Sequence, residues 1–209
     1  MDAVFLKHDT DKSSKFHNYT AYYEKYLKPF TGKAGLRYLE IGVYRGGSLR
    51  AFREYFPLAE RIVGIDINGG AKASEDASQH IYVEIGDQSD PDFLKYVTEK
   101  HGPFDVILDD GSHQYEHILA SFTCLFPLLA NEGVYIVEDS ICIRDQLQFF
   151  HSLTRYLHKW GRDIGGDYCV DPEKFAPYKT TDPLEYGVGD IVFTNSAILI
   201  NKHLQKHWM

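Results

Sequence analysis

Residues 37–49, RYLEIGVYRGGSL, contain the transition that decides the fold. The stretch begins with a short apolar run and continues into a glycine-rich turn, where the backbone can approach a ligand closely. The segment SLRAFREYF at 48–56 has the apolar spacing of a helix and ends at Pro57. A second apolar run, RIVGIDI, follows at 61–67, so the sequence predicts a βαβ unit with two parallel strands.

The same alternation of strands and helices continues along the chain. Further strands are predicted at 81–87, 104–110 and 133–139, and further helices at 17–29, 71–78, 91–100, 115–129 and 144–160. The segment DIVFTNSAILINK, at 190–202, has two short β runs around a polar turn and predicts a terminal hairpin. We therefore expect an α/β protein with a mostly parallel sheet and helices on both faces.

The composition excludes several classes of protein. The 209 residues carry a net charge of −8, which disfavours the clustered basic surface that nucleic acid requires. Cys124, Cys142 and Cys169 are far apart and form no CxxC pair, which argues against a disulfide framework and a thiolate zinc site. No segment has the character of a signal peptide or of a membrane span. We expect a soluble, cytoplasmic protein with no nucleic-acid or membrane partner.

Polar residues and glycines follow several predicted strands, at the edge of the sheet where α/β proteins bind ligands. The spacing after the first strand is ExGxxxGG, which does not fit the GxGxxG pattern and disfavours a nicotinamide-dependent oxidoreductase. Asp66 and Asp87 end the second and third strands, where carboxylates can bind a ribose and an adenine. The predicted cofactor-binding set is Glu40, Gly42, Gly46, Gly47, Ser48, Asp66, Asp87, Gln88 and Asp109.

The motifs YLEIGVYRGGSL, GIDI, GDQSD and FDVILDDGSH resemble those of class I S-adenosylmethionine-dependent methyltransferases, which have a Rossmann-like fold. Four further segments, HDTDKSSKFHNYTAYYEKYL, ILDDGSH, VYIVEDS and IVFTNSAILINK, are similar to magnesium-dependent macrolide-sugar O-methyltransferases of the macrocin and mycinamicin type. The resemblance implies a seven-stranded sheet whose C-terminal hairpin is antiparallel. It also implies S-adenosyl-L-methionine and Mg²⁺ as cofactors, with S-adenosyl-L-homocysteine as product.

Carboxylates follow the fourth and fifth strands in the pairs Asp109 and Asp110, and Glu138 and Asp139. Carboxylates that converge repel one another, and a hard divalent cation is the simplest group that holds them together. In the resembled enzymes, the matching positions make Asp110, Glu138 and Asp139 metal ligands and His113 the catalytic base. Adjacent strand residues point to opposite faces, so we expect Asp109 to support the cofactor site or the backbone instead.

The resemblance also divides the single domain of 1–209 into an N-terminal helical cap (1–33), a cofactor-binding core (34–160), an acceptor loop (161–190) and a terminal hairpin with tail (191–209). Candidate cap residues are His8, Asp11, Lys12, His17 and Tyr19, without assigned contacts. Candidate acceptor contacts are Asp167, Tyr178, Tyr186 and Asp190. His117 is interpreted as a solvated or structural side chain, and Cys124 as a residue packed in a helix core.

The predicted function is magnesium-dependent methylation of a sugar hydroxyl in a glycosylated natural product or a glycan. Two alternatives remain open at this point. The first is a catechol-like or other small-molecule acceptor, because vicinal phenolic hydroxyls also chelate magnesium. The second is a non-catalytic protein that binds S-adenosylmethionine. A homo-oligomeric assembly is a further expectation.

Overall fold

The computed structural model describes residues 1–140, 144–157, 184 and 187–203, with the side chains of 144–147 and 155–156 left out. Its centre is a seven-stranded sheet in the order β3-β2-β1-β4-β5-β7-β6. The strands are β1 (Arg37–Ile41), β2 (Arg61–Asp66), β3 (Ile81–Ile85), β4 (Val106–Asp109), β5 (Val134–Val137), β6 (Val188–Phe193) and β7 (Ile198–Lys202). Strands β1 to β5 are parallel, and β7 pairs antiparallel with both β5 and β6. The predicted α/β sheet and its antiparallel terminal hairpin are confirmed.

Helices cover both faces of the sheet. They are α1 (Asp2–Phe5), α2 (Thr20–Leu27), α3 (Gly47–Tyr55), α4 (Pro91–His101), α5 (Tyr115–Leu125) and α6 (Arg144–Ser152). Residues of α1, α2 and α3 pack in one buried cluster with alternate strand residues such as Tyr38 and Leu108. Residues of α4, α5 and α6 pack in a second cluster with the intervening strand residues, such as Leu39 and Ile107. Because side chains alternate along a strand, the sheet separates two apolar cores.

Several predicted boundaries are wrong for local reasons. The predicted helix at 71–78 is instead two 3₁₀ segments, Gly69–Ser74 and Ala77–Gln79, because the side chains of Asn68 and Asp76 accept bonds from nearby main-chain amides. The predicted helix at 17–29 begins only at Thr20, since Asn18 has a left-handed backbone with φ 57°. Strand β6 begins at Val188, inside the segment predicted as the acceptor loop.

Two other helices end earlier than predicted. Helix α5 ends at Leu125 and continues as a 3₁₀ segment, Phe126–Leu128, which contains Pro127. Helix α6 is likewise followed by a 3₁₀ segment, Leu153–Tyr156. Among the residues that the structure describes, no helix is long and apolar enough to cross a membrane.

The strand order places the site. From β1 the chain adds β2 and then β3 on one side, whereas β4 and β5 lie on the other side. The order therefore reverses between β1 and β4, and the carboxyl ends of these strands border a crevice.

Candidate active site

The turn after β1 requires glycine at two positions. Gly42 has φ +93°, and a Cβ atom there would lie 2.1 Å from the main-chain oxygen of Asp110, at the end of β4. A Cβ atom on Gly47 would lie 1.7 Å from the main-chain oxygen of Asp9. Glycine thus lets the end of β4 and the N-terminal segment both pack directly against this turn.

A cavity of about 290 Å³ lies at the carboxyl ends of the first strands. Of the predicted cofactor-binding residues, it is lined by Gly42, Asp66, Asp87 and Gln88. The Asp66 carboxylate accepts hydrogen bonds from the main-chain amides of Val43, at 2.9 Å, and Tyr44, at 3.0 Å. These bonds join the end of β2 to the glycine turn and hold the Asp66 side chain at the edge of the cavity. A second, more open groove of about 580 Å³ lies between α4 and α5, away from these residues.

The other predicted cofactor-binding residues do not line this cavity. Gly46 and Gly47 begin α3. Ser48 lies in its first turn and is buried. Glu40 is only 1% exposed and accepts a hydrogen bond from the Tyr38 hydroxyl at 3.1 Å. Burial raises the pKa of Glu40 to about 7, against the opposing effect of Lys12.

Asp109 supports the cavity from inside the protein. Its buried carboxylate accepts hydrogen bonds from Gln88 at 3.1 Å, from Ser121 at 2.5 Å and from Tyr135 at 3.2 Å. Burial raises its pKa to about 6. The Gln88 side chain in turn accepts a bond of 2.7 Å from the main-chain amide of Ser112. Asp109 therefore orients Gln88, and Gln88 orients the turn that carries His113.

Two predicted metal ligands and the predicted base converge beside this turn. Asp110, His113 and Asp139 each offer one ligand atom, and these atoms all lie within 4.8 Å of one another. The His113 Nε2 atom is 3.9 Å from Asp110 Oδ1 and 3.9 Å from Asp139 Oδ2. All three side chains are partly exposed, so an ion or a substrate hydroxyl can reach them. Two carboxylates at this spacing can share a hard divalent cation, and the imidazole beside them can accept a proton.

Glu138 occupies a different position from its neighbour Asp139. It is 1% exposed, and its two carboxylate oxygens accept hydrogen bonds from Lys12, at 2.6 Å, and from the Tyr23 hydroxyl. Burial raises the pKa of Glu138 to about 7, opposed by Lys12. Among the described residues, the group of possible metal ligands includes His113 in place of Glu138. The ligand role of Glu138 stays a prediction.

The N-terminal segment contributes contacts to the site that sequence reasoning did not assign. The Lys12 ammonium is 1% exposed and lies 2.5 Å from Asp110 Oδ2 and 2.6 Å from Glu138 Oε2. Burial alone lowers the Lys12 pKa, but Glu138, Asp110 and Glu40 outweigh it and hold that pKa well above its ordinary value. The Tyr19 hydroxyl donates to Asp139 Oδ1 at 2.6 Å. No local pattern distinguishes Lys12 from the exposed Lys7 or Lys15.

Most other candidate residues of the N-terminal segment and of the predicted acceptor loop have other partners or lie outside the described residues. His8 contacts Glu54, and His17 lies 3.6 Å from Asp11 near the surface. Asp190 is in β6, where it accepts a bond of 2.8 Å from the Asn201 side chain. The remaining predicted acceptor contacts, Asp167, Tyr178 and Tyr186, lie outside the described residues.

Comparison with known proteins shows what the chain is similar to. Residues 39–140 match a family model described as a methyltransferase domain. A structure of the MycE methyltransferase from the mycinamycin biosynthetic pathway, in complex with Mg and SAH, superposes on this domain with a TM-score of 0.82 at 24% identity. The match covers 97% of this chain and 54% of that one, and it establishes the class I methyltransferase fold.

Curated relatives of the chain are O-methyltransferases by name. The L-olivosyl-oleandolide 3-O-methyltransferase of Streptomyces antibioticus is 37% identical over 147 residues, which are 67% of this chain and 37% of that protein. The mycinamicin VI 2''-O-methyltransferase of Micromonospora griseorubida is 36% identical over 137 residues, 62% of this chain and 33% of that protein. The chain thus spans about a third of the length of these relatives.

Proposed function

We propose that this protein is an S-adenosylmethionine-dependent and magnesium-dependent O-methyltransferase that acts on a sugar hydroxyl of a glycosylated small molecule. The convergence of Asp110 Oδ1, Asp139 Oδ2 and His113 Nε2 beside the cavity carries this proposal. Both curated relatives are sugar O-methyltransferases by name, and MycE was solved with Mg and SAH. These likenesses support the donor, the metal and the acceptor class.

The cavity suits the methyl donor. Asp66 lies at its edge with a carboxylate held by the glycine turn, where it can accept hydrogen bonds from the ribose hydroxyls. Asp87 and Gln88 line the same cavity from the loop after β3. We propose direct donor contacts for these residues and for the backbone at Gly42. Glu40, Gly46, Gly47, Ser48 and Asp109 then support the pocket from behind or shape the turn.

The group of Asp110, Asp139 and His113, beside the donor cavity, suits a weakly acidic hydroxyl of the acceptor. When bound, magnesium lowers the pKa of a coordinated hydroxyl and neutralises the carboxylates around it. We propose Asp110 and Asp139 as its ligands here, with Glu138 as the third ligand that the resemblance implies. His113 Nε2 lies beside both aspartates. It accepts the hydroxyl proton while the oxygen bonds to the methyl carbon, the carbon–sulfur bond breaks and S-adenosylhomocysteine leaves.

The proposal also covers the acceptor, the cellular location and the oligomeric state of the protein. A vicinal diol of a sugar offers two oxygens to one cation, which suits a cation site open on the side of His113. The acceptor is therefore proposed to be a glycosylated natural product or a glycan, bound in part by residues 161–187. A cytoplasmic location and a homo-oligomeric assembly remain predictions.

The decisive experiment measures methyl transfer from labelled S-adenosylmethionine to a panel of deoxysugar glycosides with vicinal hydroxyls, with catechols as a parallel panel. We expect product on the sugars, loss of turnover in excess chelator, and recovery when magnesium is restored. Turnover that persists undiminished in chelator contradicts the metal role. Transfer to catechols alone contradicts the sugar acceptor, and product mass spectrometry separates these results.

A further inference from the structure

The N-terminal segment holds the carboxylates of Asp110 and Asp139 in the same way. Each carboxylate has one oxygen bonded to that segment, namely Asp110 Oδ2 to Lys12 and Asp139 Oδ1 to Tyr19. The other oxygen of each, Asp110 Oδ1 and Asp139 Oδ2, lies 3.9 Å from His113 Nε2. A carboxylate held at one oxygen has little freedom to rotate. The segment thus determines which oxygens face His113.

Tyr19 holds Asp139 at two points. Its hydroxyl donates to Asp139 Oδ1 at 2.6 Å and accepts from the Asp139 main-chain amide at 3.4 Å. Asp139 has a left-handed backbone with φ 51°, a conformation that is costly for a residue other than glycine. The contact through Tyr19 therefore restrains both the backbone and the side chain of this residue.

Tyr19 is itself fixed by packing. It is 1% exposed and stacks on the rings of His17 and Tyr23, with centroids 5.5 Å and 6.0 Å away. A buried ring that stacks on two neighbouring rings cannot follow a carboxylate that rotates. The hydroxyl therefore acts as a rigid reference point for Asp139.

We infer that Tyr19 is a positioning residue of the cation site: it holds Asp139 so that Oδ2 and Asp110 Oδ1 can share one magnesium ion, with His113 beside both as the base. This inference rests on the proposed metal-dependent function. It assigns the N-terminal segment, remote in sequence from every ligand, a part in metal affinity. Tyr19 touches no reacting atom, so its effect passes through Asp139.

The test is a Tyr19→Phe variant, which keeps the packed ring and removes only the hydroxyl. Magnesium is titrated by calorimetry into protein saturated with S-adenosylhomocysteine. We expect a magnesium Kd about tenfold higher than in the native chain, at the lower end of what loss of an outer-shell partner costs. The affinity for S-adenosylhomocysteine measured without metal should not change, and turnover should return towards the native value at saturating magnesium.

Tyr22→Phe is the matched control, because the Tyr22 hydroxyl bonds to Asn195 at 3.0 Å on the surface instead of to the carboxylates. Its magnesium Kd should equal the native value. Lys12 is kept intact, since its removal changes the charge of the site as well as its geometry. An unchanged Kd in Tyr19→Phe, with native binding intact, overturns the inference alone. Absence of magnesium binding by the native chain overturns both the inference and the metal-dependent function.

Discussion

Lys12 and Glu138 are 126 positions apart in the chain, yet the Lys12 Nζ atom lies 2.6 Å from Glu138 Oε2, and both side chains are 1% exposed. The same ammonium lies 2.5 Å from Asp110 Oδ2. One buried cation therefore compensates carboxylates from the ends of β4 and β5. The N-terminal segment is thus an electrostatic part of the site.

Lys12→Met should destabilise the protein strongly. The variant keeps much of the side-chain volume but leaves buried carboxylates without their counter-charge, which typically costs about 3–5 kcal/mol. Urea unfolding at pH 8 measures the change in the free energy of unfolding. Lys15→Met, on an exposed lysine of the same segment, should change it by less than about 0.5 kcal/mol. Equal losses in the two variants contradict the proposed role of the buried ammonium.

Gly42→Ala should damage the site through the backbone. The new Cβ atom would overlap the main-chain oxygen of Asp110, and the residue would have to keep φ +93°. We expect a loss of about 3 kcal/mol in the free energy of unfolding, together with weaker binding of S-adenosylhomocysteine by calorimetry. Gly32→Ala is the control, because a Cβ atom there has no neighbour within 4 Å. Native donor affinity in Gly42→Ala contradicts the close approach of β1 to β4.

His113→Ala should lower kcat by about 10²- to 10⁴-fold, because it removes the group proposed to accept the hydroxyl proton. The Kd for S-adenosylhomocysteine, measured by calorimetry, should change little. His203→Ala provides a comparison, since His203 pairs with Glu132 after β7, at the opposite edge of the sheet from the site. A variant of His113 that turns over at the native rate eliminates it as the base.

His101 should make stability depend on pH. Burial lowers the pKa of its imidazolium below the ordinary 6.5, and this outweighs the hydrogen bond to Glu84; Lys100 and Arg61 act in the same direction as burial. The unfolded chain then binds a proton more readily than the folded one. The stability contributed by the neutral ring is complete above about pH 6.5 and is lost as the pH falls through the interval below it.

Urea unfolding of the native chain and of His101→Gln, at pH 7.5 and pH 5.5, measures this effect. Buried Glu40 and Glu138 titrate near the same range, so the difference between the two chains isolates His101. The native chain should lose more stability than the variant on acidification. His80→Asn, at an exposed left-handed position, should behave like the native chain. An equal loss of stability on acidification in the native chain, His101→Gln and His80→Asn contradicts the prediction.

Local sequence signals were sufficient for much of the fold. Apolar runs of strand length marked β1 to β5, and the polar turn at 194–196 marked the hairpin of β6 and β7. The signal was insufficient at 71–78, where Asn68 and Asp76 form side-chain bonds to the backbone that compete with a helix. Periodicity records which residues are buried, and it does not record such local competition.

For the site, the sequence alone determined which strand ends carry Asp66, Asp110, His113 and Asp139, because parallel strands bring their carboxyl ends to one edge of the sheet. Only the tertiary structure decided how these side chains are partnered. It placed Lys12 between Asp110 and Glu138, and Tyr19 on Asp139. Such contacts join residues about 100 or more positions apart, and their energies depend on burial and on distances of a few ångströms. No pattern within the N-terminal segment carries that information, since it arises only when the segment packs against the ends of β4 and β5.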